Sequence, residues 1–148
     1  MTAGINVEQG AKPKSAARFL PPTIRTLMGL AFAAFGLMGL LHLMKPPKDL
    51  PQAAIDFMNA MNGTRYFFPL VSGTQFVVGI LLVFNRFVAL ALVLIMPILV
   101  NIILYHIFVQ PEGIAPGAVL MAFELYLAWV YRKAYRPLLT PRAKPNEP

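Results

Sequence analysis

The chain is predicted to be an all-α integral membrane protein, a bundle of four transmembrane helices with an amphipathic interfacial helix between spans 1 and 2. Its 148 residues are 57% hydrophobic and only 13% charged, whereas soluble domains carry about 25% charged residues. Four apolar runs are each long enough to cross a bilayer, which takes about 20 helical residues. At this length one compact bundle is expected, without a soluble domain to hold a nucleotide or a large substrate.

The four predicted spans cover about 23–44, 66–84, 87–109 and 113–131, within a membrane domain placed at 23–136. Pro21 and Pro22 are expected to precede the first span, because proline inside a helix breaks its hydrogen-bond ladder. Asn85 and Arg86 form so short a turn that the spans on either side should be antiparallel neighbours. Residues 1–22 and 137–148 are predicted to be mobile basic tails, the second rich in proline. No cleaved signal peptide is expected, since the first span is longer than a signal core.

A further helix is predicted between the first two spans, over about 49–62. Asp49 suits a helix N-cap and Pro51 an early helical position, and Asn62-Gly63 is a stop signal. Apolar residues then recur at helical spacing: Leu50, Ala54, Phe57, Met58 and Met61. We expect this helix to lie at the outer interface as a lid on the bundle. A partner-binding or substrate-gating role is the alternative.

The distribution of basic residues predicts the orientation of the chain. Of 13 lysines and arginines, ten flank the ends that would lie on one side, and three, Lys45, Lys48 and Arg65, fall on the other. Cytoplasmic loops carry the excess of positive charge, so both termini are expected to be cytoplasmic. The net charge of +7 is thereby accounted for by membrane orientation, and nucleic acid is not an expected partner.

Three polar residues within the apolar runs are the first candidates for a site. Gln75, Asn101 and Glu124 are estimated to lie about 12–16 Å below the outer ends of their spans, so we expect one polar layer facing the bundle interior. No lysine or arginine is expected at that depth, which favours a protonated Glu124. A hydrogen-bonded knot that fixes packing and a proton-carrying or ligand-binding site are both open.

His42 and His106 are predicted to lie near the outer ends of spans 1 and 3, at similar depth. Facing histidines in a helical bundle can hold haem, but polar interface residues are the commoner explanation, and no cofactor or metal site is expected. The chain has no cysteine, which excludes disulfides and thiolate metal sites. A small-residue stripe, Gly29, Ala33 and Gly36, predicts close helix packing, within the chain or in a homodimer.

In pattern and order, residues 23–139 resemble the DoxX-like family of small bacterial membrane proteins. The resemblance is carried by residues 63–70 leading into 75–79, by 85–90 and 97–106, and by 125–132 closing at 136–138. It implies a four-helix fold, the bacterial cytoplasmic membrane, and a link to quinone-reducing redox chemistry. The family pattern has a glutamate in span 2 where this chain has Gln75, which removes an ionisable group.

Two functional hypotheses follow. The first is an accessory or scaffold subunit, without an active site of its own, attached to a larger quinone-associated redox complex in the membrane. The second is a protein that binds or transports a small lipophilic or acidic molecule through the intramembrane polar site. Gln75, Asn101 and Glu124 would form that site, with His106 and His42 as further candidates. A small enzyme that uses quinone or haem is the least favoured hypothesis.

Overall fold

The computed structural model describes residues 18–44 and 49–137, and every regular element in these residues is helical. The helices are α1 (Leu20–Leu40), α2 (Gln52–Gly63), α3 (Phe67–Val83), α4 (Val88–Phe108) and α5 (Ile114–Val130), with short 3₁₀ segments at Pro111–Gly113 and Arg132–Tyr135 on either side of α5. Most of the two predicted tails, and the segment 45–48, lie outside the described residues.

Helices of membrane-spanning length and hydropathy are present, as predicted. α1, α4 and the stretch Pro111–Val130 each pass this test alone. α3 has 17 residues and passes only together with α2, from which it is separated by a bend of 89°. The described chain therefore has three such helices, or four if α2 and α3 count as one bent span. The all-helical class and the apolar spans are confirmed at this level.

The first helix begins and ends earlier than predicted. α1 starts at Leu20 and places Pro21 and Pro22 in its first turn, where proline is tolerated because the N–H groups there have no helical acceptor. The prediction that both prolines precede the helix is wrong for this reason. α1 ends at Leu40, and His42 then adopts a left-handed conformation with φ 55°. Arg25 consequently lies more than one turn inside the helix.

The lid helix forms, with different boundary residues from those predicted. Pro51, with an extended ψ of 147°, occupies the N-cap position of α2, so the assignment of the cap to Asp49 is wrong. The left-handed residue after the helix is Arg65, with φ 61°, while no glycine has a positive φ in the described chain. Ala54 is fully buried and Phe57, Met58 and Met61 are half-buried, whereas Gln52, Asp56 and Asn59 are exposed. The predicted apolar face therefore packs inward.

The four longer helices pack in the order α1, α3, α4, α5, with α5 returning to α1. The tightest seam joins α1 and α3. Gly29 faces Gly79 and Val83, whereas Gly36 faces Ser72 and Phe76. These pairings show that the two helices run antiparallel. A Cβ atom at Gly36 would meet the backbone of α3. The small-residue stripe thus packs within the chain, the first of its two predicted uses.

The buried core lies toward one end of these helices. Its residues are Met28, Phe32, Val78, Leu82, Val88, Ala91, Leu92, Ile95, Leu99 and Leu127. On α3 and α4 they cluster toward the connecting residues Phe84–Phe87, and this half of the molecule is called the turn end below. The other half, where α2 crosses, is called the α2 end. Side chains fill the turn end, whereas two cavities lie at the α2 end.

Candidate functional site

A cavity of about 470 Å³, the main cavity below, lies between α3 and α4 at the α2 end. Phe57 and Met58 of α2 contribute to its lining from above. Four polar side chains line it among apolar neighbours, and they are Gln75, Asn101, Tyr105 and His106. Three of the five predicted site residues are thus brought together by the bend that lays α2 across the helix ends.

The side-chain amides of Gln75 and Asn101 both line the cavity but do not hydrogen-bond to each other. Gln75 is half-buried and Asn101 is exposed, and no hydrogen bond to another described residue occupies either amide. Asn101 also lines a neighbouring depression of about 430 Å³ that shares Phe57, Pro97 and Tyr105 with the main cavity. The main cavity is therefore open on its α4 side, and both amides are available to a bound molecule.

His106 is fixed in orientation by its surroundings. Its Nδ1 lies 2.9 Å from the backbone oxygen of Gln110, and because a carbonyl oxygen only accepts, Nδ1 carries the proton. Nε2 of a neutral ring is then an acceptor. The ring packs over Gly113, where a Cβ atom would collide with it. His106 thus presents a defined tautomer beside the cavity.

Tyr105 links the lid to the cavity wall. Its ring lies 5.2 Å from that of Phe57 on α2 and 5.2 Å from that of His106, in an edge-on arrangement. The Tyr105 hydroxyl donates to Oε1 of Gln110 at 3.2 Å. These contacts hold the lid, the cavity wall and the α4–α5 connection together. Tyr105 was not among the site residues predicted from the sequence, so its position in the site was missed.

Glu124 does not line this cavity, although it lies about 15 Å from the start of α5, at the depth predicted for the polar layer. It precedes Val130, the last residue of α5, by about 9 Å of helix, which places it toward the turn end. Glu124 is 1% exposed, and its Oε2 has no hydrogen-bond partner in the described chain. Gln75 and Asn101 line the main cavity. The three residues are therefore separated by direction around the helix axes, which the depth estimate did not include.

Arg25 on α1 has a second buried polar atom. It lies about 7.5 Å from the start of α1, in the half of the molecule that contains the turn end. Its Nε is buried without a hydrogen-bond partner in the described chain, as is Oε2 of Glu124. α1 starts three residues earlier than predicted, which places Arg25 inside the helix, while the expectation that no lysine or arginine lies at the depth of Glu124 stays a prediction. No hydrogen bond joins these two atoms.

Tyr135 lies at the turn end, and its surroundings there shift its pKa. It lies beyond α5 in the segment Arg132–Tyr135. Burial, and then the negative charge of Glu124, raise the pKa of Tyr135 above its ordinary value of 10.0. The neutral phenol is favoured in the fold, so its stabilising contribution is present below the ordinary pKa and lost as pH rises through the raised one.

We expect Glu124→Gln to lower the pKa of Tyr135 without restoring its ordinary value, because burial would remain. The measurement is a spectrophotometric titration of phenolate in the wild type and in Glu124→Gln, with the Tyr135 component taken as the difference from Tyr135→Phe. Tyr66→Phe, which removes a tyrosine that is 66% exposed, is the control. An identical Tyr135 pKa with and without the carboxylate would contradict the proximity of the two groups.

The two histidines lie in separate surroundings. His42 lines a second cavity of about 490 Å³, the side cavity below, together with Arg65 and Ser72, while His106 lines the main cavity. The structure therefore does not bring them together as a facing pair of haem ligands. In the described residues, no group of three or more His, Cys, Asp or Glu side chains is arranged to hold a metal ion.

The polar groups that line the main cavity are suited to hydrogen bonding with a bound molecule. Its amides and imidazole can donate and accept hydrogen bonds, but no carboxylate and no lysine or arginine is among its described lining residues. This arrangement suits recognition of an apolar molecule with one or two polar atoms. Comparison of the chain with protein-family models, with curated proteins and with solved structures finds no match.

Proposed function

We propose that this chain is a membrane protein that binds a small lipophilic molecule in the main cavity, for storage, sensing or transport. The observation that carries the proposal is the meeting of Gln75, Asn101, Tyr105 and His106 on a cavity of about 470 Å³ with otherwise apolar lining. Ligand sites commonly have apolar walls, a few placed polar groups and volumes of about 300–1,000 Å³.

In the proposed topology, α1, α3, α4 and α5 cross the bacterial cytoplasmic membrane and α2 lies along its outer surface. The right-angle bend between α2 and α3 and the inward apolar face of α2 support this arrangement. The excess of basic residues at the turn end supports a cytoplasmic location for both termini. α3, at about 25 Å, is short for a hydrocarbon core of about 30 Å, and local thinning of the bilayer would accommodate it.

The main cavity would then lie in the outer half of the membrane, beneath the lid. Its open α4 side, at Pro97 and Asn101, would face lipid, which is the direction from which a lipophilic ligand arrives. The unengaged amides of Gln75 and Asn101 would bond the ligand's polar atoms. A hydrogen bond made away from water is strengthened by the low dielectric, so these two amides would set the choice of ligand.

The DoxX-like resemblance carries a second proposal, that of an accessory subunit in a quinone-associated redox complex. A quinone is lipophilic and has two carbonyl acceptors, which the amide N–H groups of Gln75 and Asn101 are able to bond. The two proposals therefore meet at the same cavity. They differ in the expected partner, since only the second requires a larger redox subunit.

The test is native mass spectrometry of the protein extracted from its own membrane in a mild nonionic detergent. We expect the wild type to carry an adduct of defined mass, and Gln75→Met and Asn101→Leu to lose most of it. Removing one neutral hydrogen bond costs about 0.5–1.5 kcal/mol, and leaving a buried partner unsatisfied costs more, so occupancy should fall by roughly tenfold. The control is Thr74→Val, whose hydroxyl bonds the Leu70 carbonyl in its own helix.

A quinone adduct with a co-purifying redox subunit would support the accessory proposal, and another lipophilic adduct without one would support binding or transport alone. A wild-type protein free of any adduct contradicts the binding proposal. So does an adduct retained equally by Gln75→Met, Asn101→Leu and Thr74→Val, because it would then lie outside the main cavity.

A further inference from the structure

The side cavity is built from three segments at the α2 end. Gly39, His42 and Met44 lie at the end of α1 and just beyond it. α2 contributes Met58, Met61 and Asn62, and the start of α3 contributes Phe68, Pro69 and Ser72, with Arg65 in the bend between them. The volume is about 490 Å³. Unlike the main cavity, this one has an arginine in its wall.

The two cavities share a wall. Met44, Met58 and Phe68 line both of them, and methionine side chains are flexible enough to repack around a guest. A single extended molecule can therefore have one part in each cavity. The part in the main cavity would meet mostly apolar side chains, and the part in the side cavity would meet Arg65 and His42.

The described lining of the side cavity includes basic residues but no acidic ones. No Asp or Glu belongs to its described lining, and no described residue forms an ion pair or hydrogen bond with the side chain of Arg65 or of His42. Both residues adopt left-handed backbone conformations, with φ 61° and 55°, which disfavour side chains with a Cβ atom. Basic side chains thus stand at two positions where glycine or asparagine would be easier to accommodate.

We propose that the side cavity binds the anionic head of an amphiphile whose apolar chain occupies the main cavity. This inference rests on the proposed function and names the class of ligand, a molecule with a carboxylate or phosphate head on a single alkyl chain. The Arg65 guanidinium would bind the head with paired, charge-assisted hydrogen bonds. His42 and the Asn62 amide would supply further donors.

The experiment compares four probes of equal chain length, decanoate, decyl phosphate, decanol and decyltrimethylammonium, by native mass spectrometry titration in a nonionic detergent. We expect the two anions to bind at least about tenfold more tightly than decanol, because hydrogen bonds to a charged group are stronger than those between neutral groups. The cation should bind most weakly. Preference for decanoate would identify a carboxylate head, and preference for decyl phosphate a phosphate head.

Arg65→Gln should remove most of the preference for anions and leave decanol binding unchanged, while Arg65→Lys should retain part of it. The matched control is Arg86→Gln, which removes an exposed arginine from the turn end and should retain the full preference. Equal binding of decanol and the anions in the wild type would overturn the head-group assignment and leave the lipophilic cavity standing. Failure of all four probes to bind would count against the cavity itself.

Discussion

Replacing Gly36 by alanine should strongly destabilise the protein. The new Cβ would meet the backbone nitrogen and Cα of Phe76 and the carbonyl oxygen of Ser72. Backbone atoms cannot rotate away, so α1 and α3 would have to separate along their whole seam. Overpacking costs about 1–3 kcal/mol, and we expect a loss at the upper end of that range, about 3 kcal/mol. The measurement is the free energy of unfolding by SDS titration.

The matched control is a glycine on α3 that faces away from the seam. A Cβ atom added at Gly73 would have no neighbouring atom of the described chain within 4 Å, so Gly73→Ala should be neutral or stabilising by up to about 1 kcal/mol. Equal losses in Gly36→Ala and Gly73→Ala would contradict the close packing of α1 on α3, since a general intolerance of alanine would then explain both.

A neighbouring glycine gives an internal check. At Gly39 a Cβ atom would meet only the side chain of Ser72, so the loss in Gly39→Ala should be rescued by Ser72→Gly. The same second change should not rescue Gly36→Ala, whose clash is with backbone. A double-mutant cycle measures this difference.

The close contact between α1 and α3 is a feature that the sequence predicts well. Glycine and alanine at helical spacing, Gly29, Ala33 and Gly36, predict that another helix comes close, because in lipid small residues allow packing that larger ones prevent. Composition and run length likewise predict apolar helices, and the faces of α2 follow from its periodicity. These features depend on local spacing, which a sequence displays directly.

The site was predicted only in part. A sequence shows how far along a helix a residue lies more directly than it shows which way its side chain points around the helix axis. At about 100° per residue, Asn101 lies roughly 140° from the centre of the buried stripe of α4, which is Val88, Ala91, Leu92, Ile95 and Leu99. That offset already separates Asn101 from Glu124, which lies between Gly117 and Leu127 on the buried face of α5. Depth alone had grouped the two residues.

Other parts of the site depend on long-range geometry. The main cavity exists because α2 turns by 89° relative to α3 and carries Phe57 over Tyr105. Periodicity predicts a helix with an apolar face but not the angle at which it crosses its neighbours. The grouping of Arg65 and His42 in one cavity likewise depends on the ends of two helices meeting, and these residues are 23 positions apart in the chain.

Glu124→Leu should raise the free energy of unfolding, by about 1–3 kcal/mol, since an unsatisfied buried polar atom carries a penalty of that size. Glu124 is 1% exposed and its Oε2 is without a hydrogen-bond partner in the described chain, whereas leucine would fill similar space without it. The control is Glu112→Leu, which removes an exposed carboxylate before α5 and should change stability by no more than about 0.5 kcal/mol. SDS titration measures both.

A fall in the free energy of unfolding of Glu124→Leu would instead indicate that the Glu124 carboxylate has a partner. If Glu124→Leu lowers stability by about 3 kcal/mol or more, the carboxylate is paired, because breaking a buried ion pair has this cost. Arg25, whose Nε is also buried and unpartnered in the described chain, is the residue to test, and a coupling energy between Glu124→Leu and Arg25→Leu would establish the pair. If stability rises as expected while growth that depends on the protein is lost, the carboxylate is retained for function at a cost in stability. The main cavity lies at the other end, so ligand occupancy in Glu124→Leu should stay at the wild-type level, which separates the two sites.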